Sequence, residues 1–215
     1  MVQAVLTPQQ RRKLDESDDA LFYQMPRLVT HVDQGFLQQL TQLYRERLTP
    51  SSRLLDLMSS WVSHLPPEMD FAEVVGHGMN AEELARNPRL THYFVQNLNH
   101  NPRLPLEDAR FDAVLNAVSV QYLQYPEAVF AEIQRVLKPG GLAIVSFSNR
   151  MFYQKAIQAW RDATDAERIA LVQRYFQAVP GFGPVEVIAR PSPPGFWGLL
   201  GGGDPFYAVL ARKEP

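Results

Sequence analysis

The 215-residue sequence contains no cysteine. Disulfides, thiolate metal sites and a thiol nucleophile are thereby excluded. No stretch approaches the ~20 apolar residues of a membrane-spanning helix. No charged start followed by an apolar run marks a secretory signal at the N-terminus. Charge of one sign is not in excess either, since 21 Lys and Arg face 23 Asp and Glu, for a formal net charge of −2. That balance gives no global attraction to nucleic acid or to anionic lipid. The five histidines show no metal-ligand spacing, and His31-Val32-Asp33 alone is too weak a pattern for a metal site. A cytoplasmic protein is the expectation, with no metal, no nucleic-acid partner and no membrane partner.

What is present suits one domain with a full core, because 46% of the residues are hydrophobic. Residues 1–35 are mixed and polar and read as a solvated lead-in. Phe36, Leu37, Leu40, Leu43, Tyr44 and Leu48 then recur at helical spacing, with Asp33 as a nearby N-cap. Short apolar runs at 54–58, 72–76, 91–96, 111–116 and 142–147 read as strands. A short helical turn is expected at 60–65, stopped by Pro66-Pro67, and a short helix at 81–86. Pro126 fits the first turn of a helix striped by Val129, Phe130, Ile133, Val136 and Leu137, ended by Lys138-Pro139-Gly140-Gly141. A long helical region is expected over 152–178, broken near Thr164. Two closing strands, at 185–189 and 206–212, have no helix between them. They predict an antiparallel hairpin, with Gly201-Gly202-Gly203 as its flexible connection.

Strands alternating with helices predict an α/β fold with a mostly parallel sheet covered on both faces. The expectation is one domain over 1–215, with residues 1–50 as a helical cap and 51–215 as a Rossmann-like core. In such sheets ligands bind beyond the carboxyl ends of the strands, where strand order reverses. That rule selects the segments 58–61, 77–80, 97–99, 116–122 and 146–150, all rich in small or polar residues.

Three stretches carry a family resemblance: Phe111-Asp112-Ala113-Val114-Leu115-Asn116, then Pro126-Glu127, then Arg135-Val136-Leu137-Lys138-Pro139-Gly140-Gly141. They resemble the class I S-adenosylmethionine-dependent methyltransferases, type 11 branch, in which an F-D-x-V strand precedes a helix ending R-V-L-K-P-G-G. Leu54-Leu55-Asp56-Leu57 resembles the first strand of that family. The resemblance implies a Rossmann-like sheet of seven strands with an antiparallel last strand. It also implies S-adenosylmethionine as methyl-donor cosubstrate. The departures are specific. The family's three loop glycines are replaced by Met58, Ser60 and Val62, the acid ending its second strand by Gly78, and the acid of its third strand by Asn97. The segment from Asp56 to Pro66 (DLMSSWVSHLP) is similar to a narrower methyltransferase-like group from photosynthetic lineages.

The resemblance implies a cofactor site built from Asp56, Met58, Ser59, Ser60, Gly76, His77, Gly78, Met79, Asn97, Leu98, Asn116 and Ala117. Ser59 and Ser60 would offer amides and hydroxyls to the carboxylate end, or simply cap a helix. His77 would contact the ribose in place of the lost acid, or be a half-buried structural histidine. Asn97 would accept from the adenine amine through its side-chain oxygen. Arg27, His31 and Asp33 would cap the cleft, or form an ordinary surface entry to a helix. His31, Tyr122 and Asp33 are the available proton acceptors. The expected function is methyl transfer to a small molecule. The alternative is a catalytically inactive binding or interaction protein that kept the fold.

Overall fold

Leu54, Leu55 and Leu57 are fully enclosed in the first strand, β1 (Arg53–Leu57). A run apolar on both faces requires cover on both sides of a sheet. The computed structural model, which describes residues 3–192 and 203–215, has that arrangement. β2 (Glu73–Gly78), β3 (His92–Val95), β4 (Phe111–Ala117), β5 (Leu137–Phe147), β6 (Glu186–Arg190) and β7 (Phe206–Arg212) complete a seven-stranded sheet of order β3-β2-β1-β4-β5-β7-β6. β1 to β5 are mutually parallel, and β7 runs antiparallel between β5 and β6. The expected antiparallel hairpin is therefore present. The chain builds outward from β1 to β3 and returns to β4, so strand order reverses between β1 and β4. Gly201 and Gly202 of the expected connection lie outside the described residues.

Helices α4 (Pro126–Val136) and α6 (Asp165–Gln177) cover one face, with Val129, Phe130 and Ile133 packed among Leu171, Val172 and Phe176. Helix α2 (Gln34–Arg47) covers the other through Phe36, Leu40, Leu43 and Tyr44. Asp33 caps α2 by accepting from Phe36 N at 2.8 Å.

Several sequence expectations are corrected. No helix forms at 60–65. Leu65 precedes Pro66 and is disfavoured in the helical region, and His64 has φ +54°. Leu65 and Met69 cover the sheet from an irregular segment instead. Helix α4 stops at Val136, and Leu137 already pairs with Phe111. The Lys138–Gly141 segment thus opens β5 rather than closing a helix, and the register shifts before Ala113 pairs with Leu142. Gly140, at φ +77°, makes the bend. The region 152–178 contains only a short α5 (Gln158–Arg161) before α6, whose N-cap Thr164 forms a capping box with Glu167.

The N-terminal segment is not a solvated lead-in. Besides α1 (Asp19–Phe22) and α3 (Ala81–Ala85) being the short helices of this side of the molecule, Lys13, Asp19 and Lys155 form a buried charge cluster. Lys13 Nζ lies 2.5 Å from Asp19, and Lys155 Nζ lies 3.0 Å from Asp15 and 3.4 Å from Asp19. Arg11 adds bonds to Gln124 O and Glu127. These contacts lay residues 11–32 across the carboxyl ends of the strands.

Candidate functional site

A cavity of about 290 Å³ opens at the carboxyl ends of β1, β2, β3 and β4, under the N-terminal segment. Its position matches the reversal of strand order, where open α/β sheets place their ligands. Of the residues expected to form a cofactor site, Asp56, Met58, Ser59, Ser60, His77, Gly78, Met79, Asn97, Leu98 and Ala117 all line it. Gly76 and Asn116 do not. Gly76 is filled against, since a β-carbon there would meet the Leu90 side chain at 2.3 Å. Asn116 is buried and turns sideways, donating from Nδ2 to Leu57 O at 3.2 Å. It ties β4 to β1 rather than facing the cleft.

The loop after β1 is held by His77. Met58 N donates to His77 Nδ1 at 3.1 Å, Ser59 N donates to His77 O at 2.6 Å, and His77 Nε2 pairs with Gln96 O at 3.0 Å. An accepting Nδ1 and a donating Nε2–H define a neutral imidazole. Burial pushes the His77 pKa down to about 4, which agrees with that state. Both nitrogens are used, so His77 is a structural staple and not a ribose contact. The same geometry explains Gly78. A β-carbon there would lie 2.6 Å from Ser59 O, so the loop occupies the space in which the family's acid would begin.

Asp56 sits beneath this loop. Its Oδ2 accepts from Ser59 Oγ at 2.6 Å. Burial raises its pKa to about 6, against the lowering effect of the Ser59 and Ser63 hydroxyls. Ser60 Oγ donates to Glu83 Oε2 at 2.6 Å, and Asn87 Nδ2 donates to Ser60 O at 2.9 Å. The serines therefore stabilise the loop, and no helix follows for them to cap. Glu83 was not legible as a site residue. Three positions after Asn80, the N-cap of α3, it has the spacing of a capping box. Only the packing of α3 beside the loop turns its carboxylate to Ser60 and to Arg27 N, at 2.7 Å.

Asn97 differs from its expected role. Its Oδ1 accepts from Asn99 N at 3.0 Å, while its Nδ2 is enclosed and has no partner among the described residues. The unpaired group of this cavity-lining residue is thus a donor, while its oxygen already holds a backbone amide. Ser119 Oγ, also on the cavity wall, is likewise buried and unpaired. Next to it Val118 has φ +50° and donates from N to Ser146 O at 2.8 Å. A β-branched residue in that region is strained, and strain of this kind concentrates at functional sites.

The cap supplies the remaining walls. Trp61 Nε1 donates to Val29 O at 3.2 Å, closing loop to cap. His31 stacks edge-on against Phe152 with centroids 4.9 Å apart. Burial, and then the Arg27 charge, lower the His31 pKa, so its ring is neutral near pH 7. Tyr122 OH accepts from Phe152 N at 2.8 Å, and burial raises the phenol to about 12. His31 and Tyr122 line the cavity; Asp33 does not, because both its oxygens serve backbone amides, Phe36 N and Asp204 N. Asp33 is thus a helix cap and not a proton acceptor in the cleft.

Residues 63–145 match the model of a methyltransferase domain family. A malonyl-[acyl-carrier protein] O-methyltransferase of Marinomonas sp. is 30% identical over 79 residues, which are 37% of this chain and 28% of that protein. The chain thus aligns with well under half of that relative's length. A methyltransferase structure from Archaeoglobus fulgidus aligns with a TM-score of 0.60 at 11% identity, covering 84% of this chain and 95% of that one. The chain has the class I methyltransferase fold. A phosphoethanolamine N-methyltransferase 2 from Haemonchus contortus, solved with S-adenosyl-L-methionine, aligns with a TM-score of 0.56 at 16% identity over 83% of this chain and 52% of that one. Together these matches show the fold and a partial sequence likeness to methyltransferases.

The cleft fits a nucleoside-type ligand by the chemistry of its unpaired atoms. Asn97 Nδ2 and Ser119 Oγ are buried polar groups that lack partners within the described residues. Buried groups of that kind call for a ligand or water partner. The acids at the family's second- and third-strand positions are absent, and the carboxylates that line the cavity are Asp19, Asp56 and Glu83.

Proposed function

We propose that the protein transfers a methyl group from S-adenosylmethionine to a small-molecule acceptor enclosed between the strand ends and the N-terminal cap. The observation that carries this reading is the cavity of about 290 Å³ at the point of strand-order reversal, with unpaired donors on its wall. That volume lies near the lower end of the ~300–1,000 Å³ range of ligand pockets, which suits a small acceptor beside a nucleoside. S-adenosylmethionine, when bound, supplies a sulfonium-activated methyl group that needs no further activation. The chain's own task is then to position the acceptor and exclude water. Trp61 and Val29 close the cap over the loop, and Phe152 holds His31 and Tyr122 against the cavity. His31, neutral because of burial and Arg27, is the group able to take a proton from an acceptor that arrives protonated. Tyr122 keeps its proton and orients.

Calorimetric titration with S-adenosylhomocysteine tests this reading, with binding expected. Asn97→Leu, which deletes the unpaired donor, is expected to weaken binding by about 0.5–1.5 kcal/mol. Absence of binding to the folded protein overturns the proposal.

A further inference from the structure

Arg27 is the one charged group on the cavity wall whose guanidinium meets no carboxylate among the described residues. Its Nη2 donates to Phe22 O at 2.9 Å, but Nη1 is enclosed without an acceptor among the described residues. The guanidinium stands 4.4 Å from the Phe22 ring centroid and 5.4 Å from that of Phe152. Aromatic faces on that side hold the cation without neutralising it. A buried cationic donor left unpaired is costly, and the partner it lacks is an anion with an oxygen to present.

The loop after β1 indicates which anion. Its first two amides, Met58 N and Ser59 N, are both consumed by His77. No helix follows the loop, so no helix N-terminus offers its partial positive charge there. The first two amides at the carboxyl end of β1 are therefore not available to a carboxylate. Arg27 is fastened to this same loop through one side chain. Glu83 accepts from Arg27 N at 2.7 Å with one oxygen and from Ser60 Oγ at 2.6 Å with the other.

We infer that Arg27 receives the carboxylate at the amino-acid end of the methyl donor, in place of the loop amides that His77 has taken. The inference rests on the methyl-transfer reading above, and it assigns the cap a direct part in donor binding. One side chain then joins the cap to both the loop and the donor.

The test compares two ligands that share the adenosine thioether: S-adenosylhomocysteine, which carries the amino-acid end, and 5′-methylthioadenosine, which does not. Calorimetry is run on the original protein, Arg27→Gln and Arg27→Lys. The original protein is expected to prefer S-adenosylhomocysteine by about tenfold or more, the worth of a hydrogen bond to a charged group. Arg27→Gln is expected to lose that preference while binding 5′-methylthioadenosine as before, and Arg27→Lys to recover part of it. Unchanged 5′-methylthioadenosine binding also reports an intact fold. If Arg27→Gln keeps the full preference, the assignment is overturned and the methyl-transfer reading stands. If neither ligand binds the original protein, both fall.

Discussion

Asp56 offers a measurement in which pH and burial act in a known direction. Its carboxyl is 5% exposed, meets only serine hydroxyls and has its pKa raised from 3.8 to about 6 by burial. A carboxyl with a raised folded pKa binds its proton more tightly in the native state than in the unfolded chain. Its contribution to stability is therefore fully present below pH 3.8 and is lost as pH rises through about 6. The full span corresponds to about 3 kcal/mol at ~1.4 kcal/mol per unit. Between about pH 4.5 and pH 7.5 the share lost is about 2 kcal/mol. Asp56→Asn keeps the shape and removes the ionisation. Urea unfolding followed by circular dichroism, at several pH values across this range, gives ΔG for both proteins. Other carboxyls shift both curves alike; Asp15, for example, is held down to about 2 chiefly by its bonds to Ser17. The informative quantity is the difference between the curves. The variant is expected to gain about 2 kcal/mol relative to the original protein from the acid end to the neutral end. A difference that stays flat across this range would refute a buried, unpaired carboxylate beneath the loop.

Gly78→Asp, which writes the family's acid back into the end of β2, is expected to destabilise by about 1–3 kcal/mol, because its β-carbon would lie 2.6 Å from Ser59 O. It should not tighten S-adenosylhomocysteine binding in calorimetry; tighter binding would show that the loop is not closed over that place. Lys155→Met leaves Asp15 and Asp19 without a shared buried cation. A loss of about 3 kcal/mol in urea unfolding is expected, together with faster amide exchange over residues 13–32. Unchanged exchange there would mean that the cap is held by other contacts.

The alternation of strands and helices was legible in the residues themselves, because apolar runs and their polar ends are local patterns. The parallel sense of most strands and the antiparallel pairing of the last two followed from the same alternation and from the missing helix between them, whereas the order of the strands in the sheet came from the tertiary structure. Asp33 before α2 was readable for a local reason, since a cap acts within three residues, and so was a break near Thr164. The cleft, too, could be located from the small and polar segments ending β1 to β4. What each of its side chains does could not, because those roles depend on partners distant in sequence. His77 read equally as a ribose contact or as a structural histidine, and the placement of its nitrogens between Met58 and Gln96 favours the second. Nothing in the sequence marked Glu83, and only tertiary packing set it between Ser60 and Arg27. The polar N-terminal residues looked solvated because their composition is charged. Lys155, about 140 positions away in the chain, draws them into a buried network, and a long-range ion pair of this kind leaves no periodic mark in the sequence. Local chemistry therefore determined the elements and where they end, while the folded geometry alone decided which donors and acceptors remain free to meet a ligand.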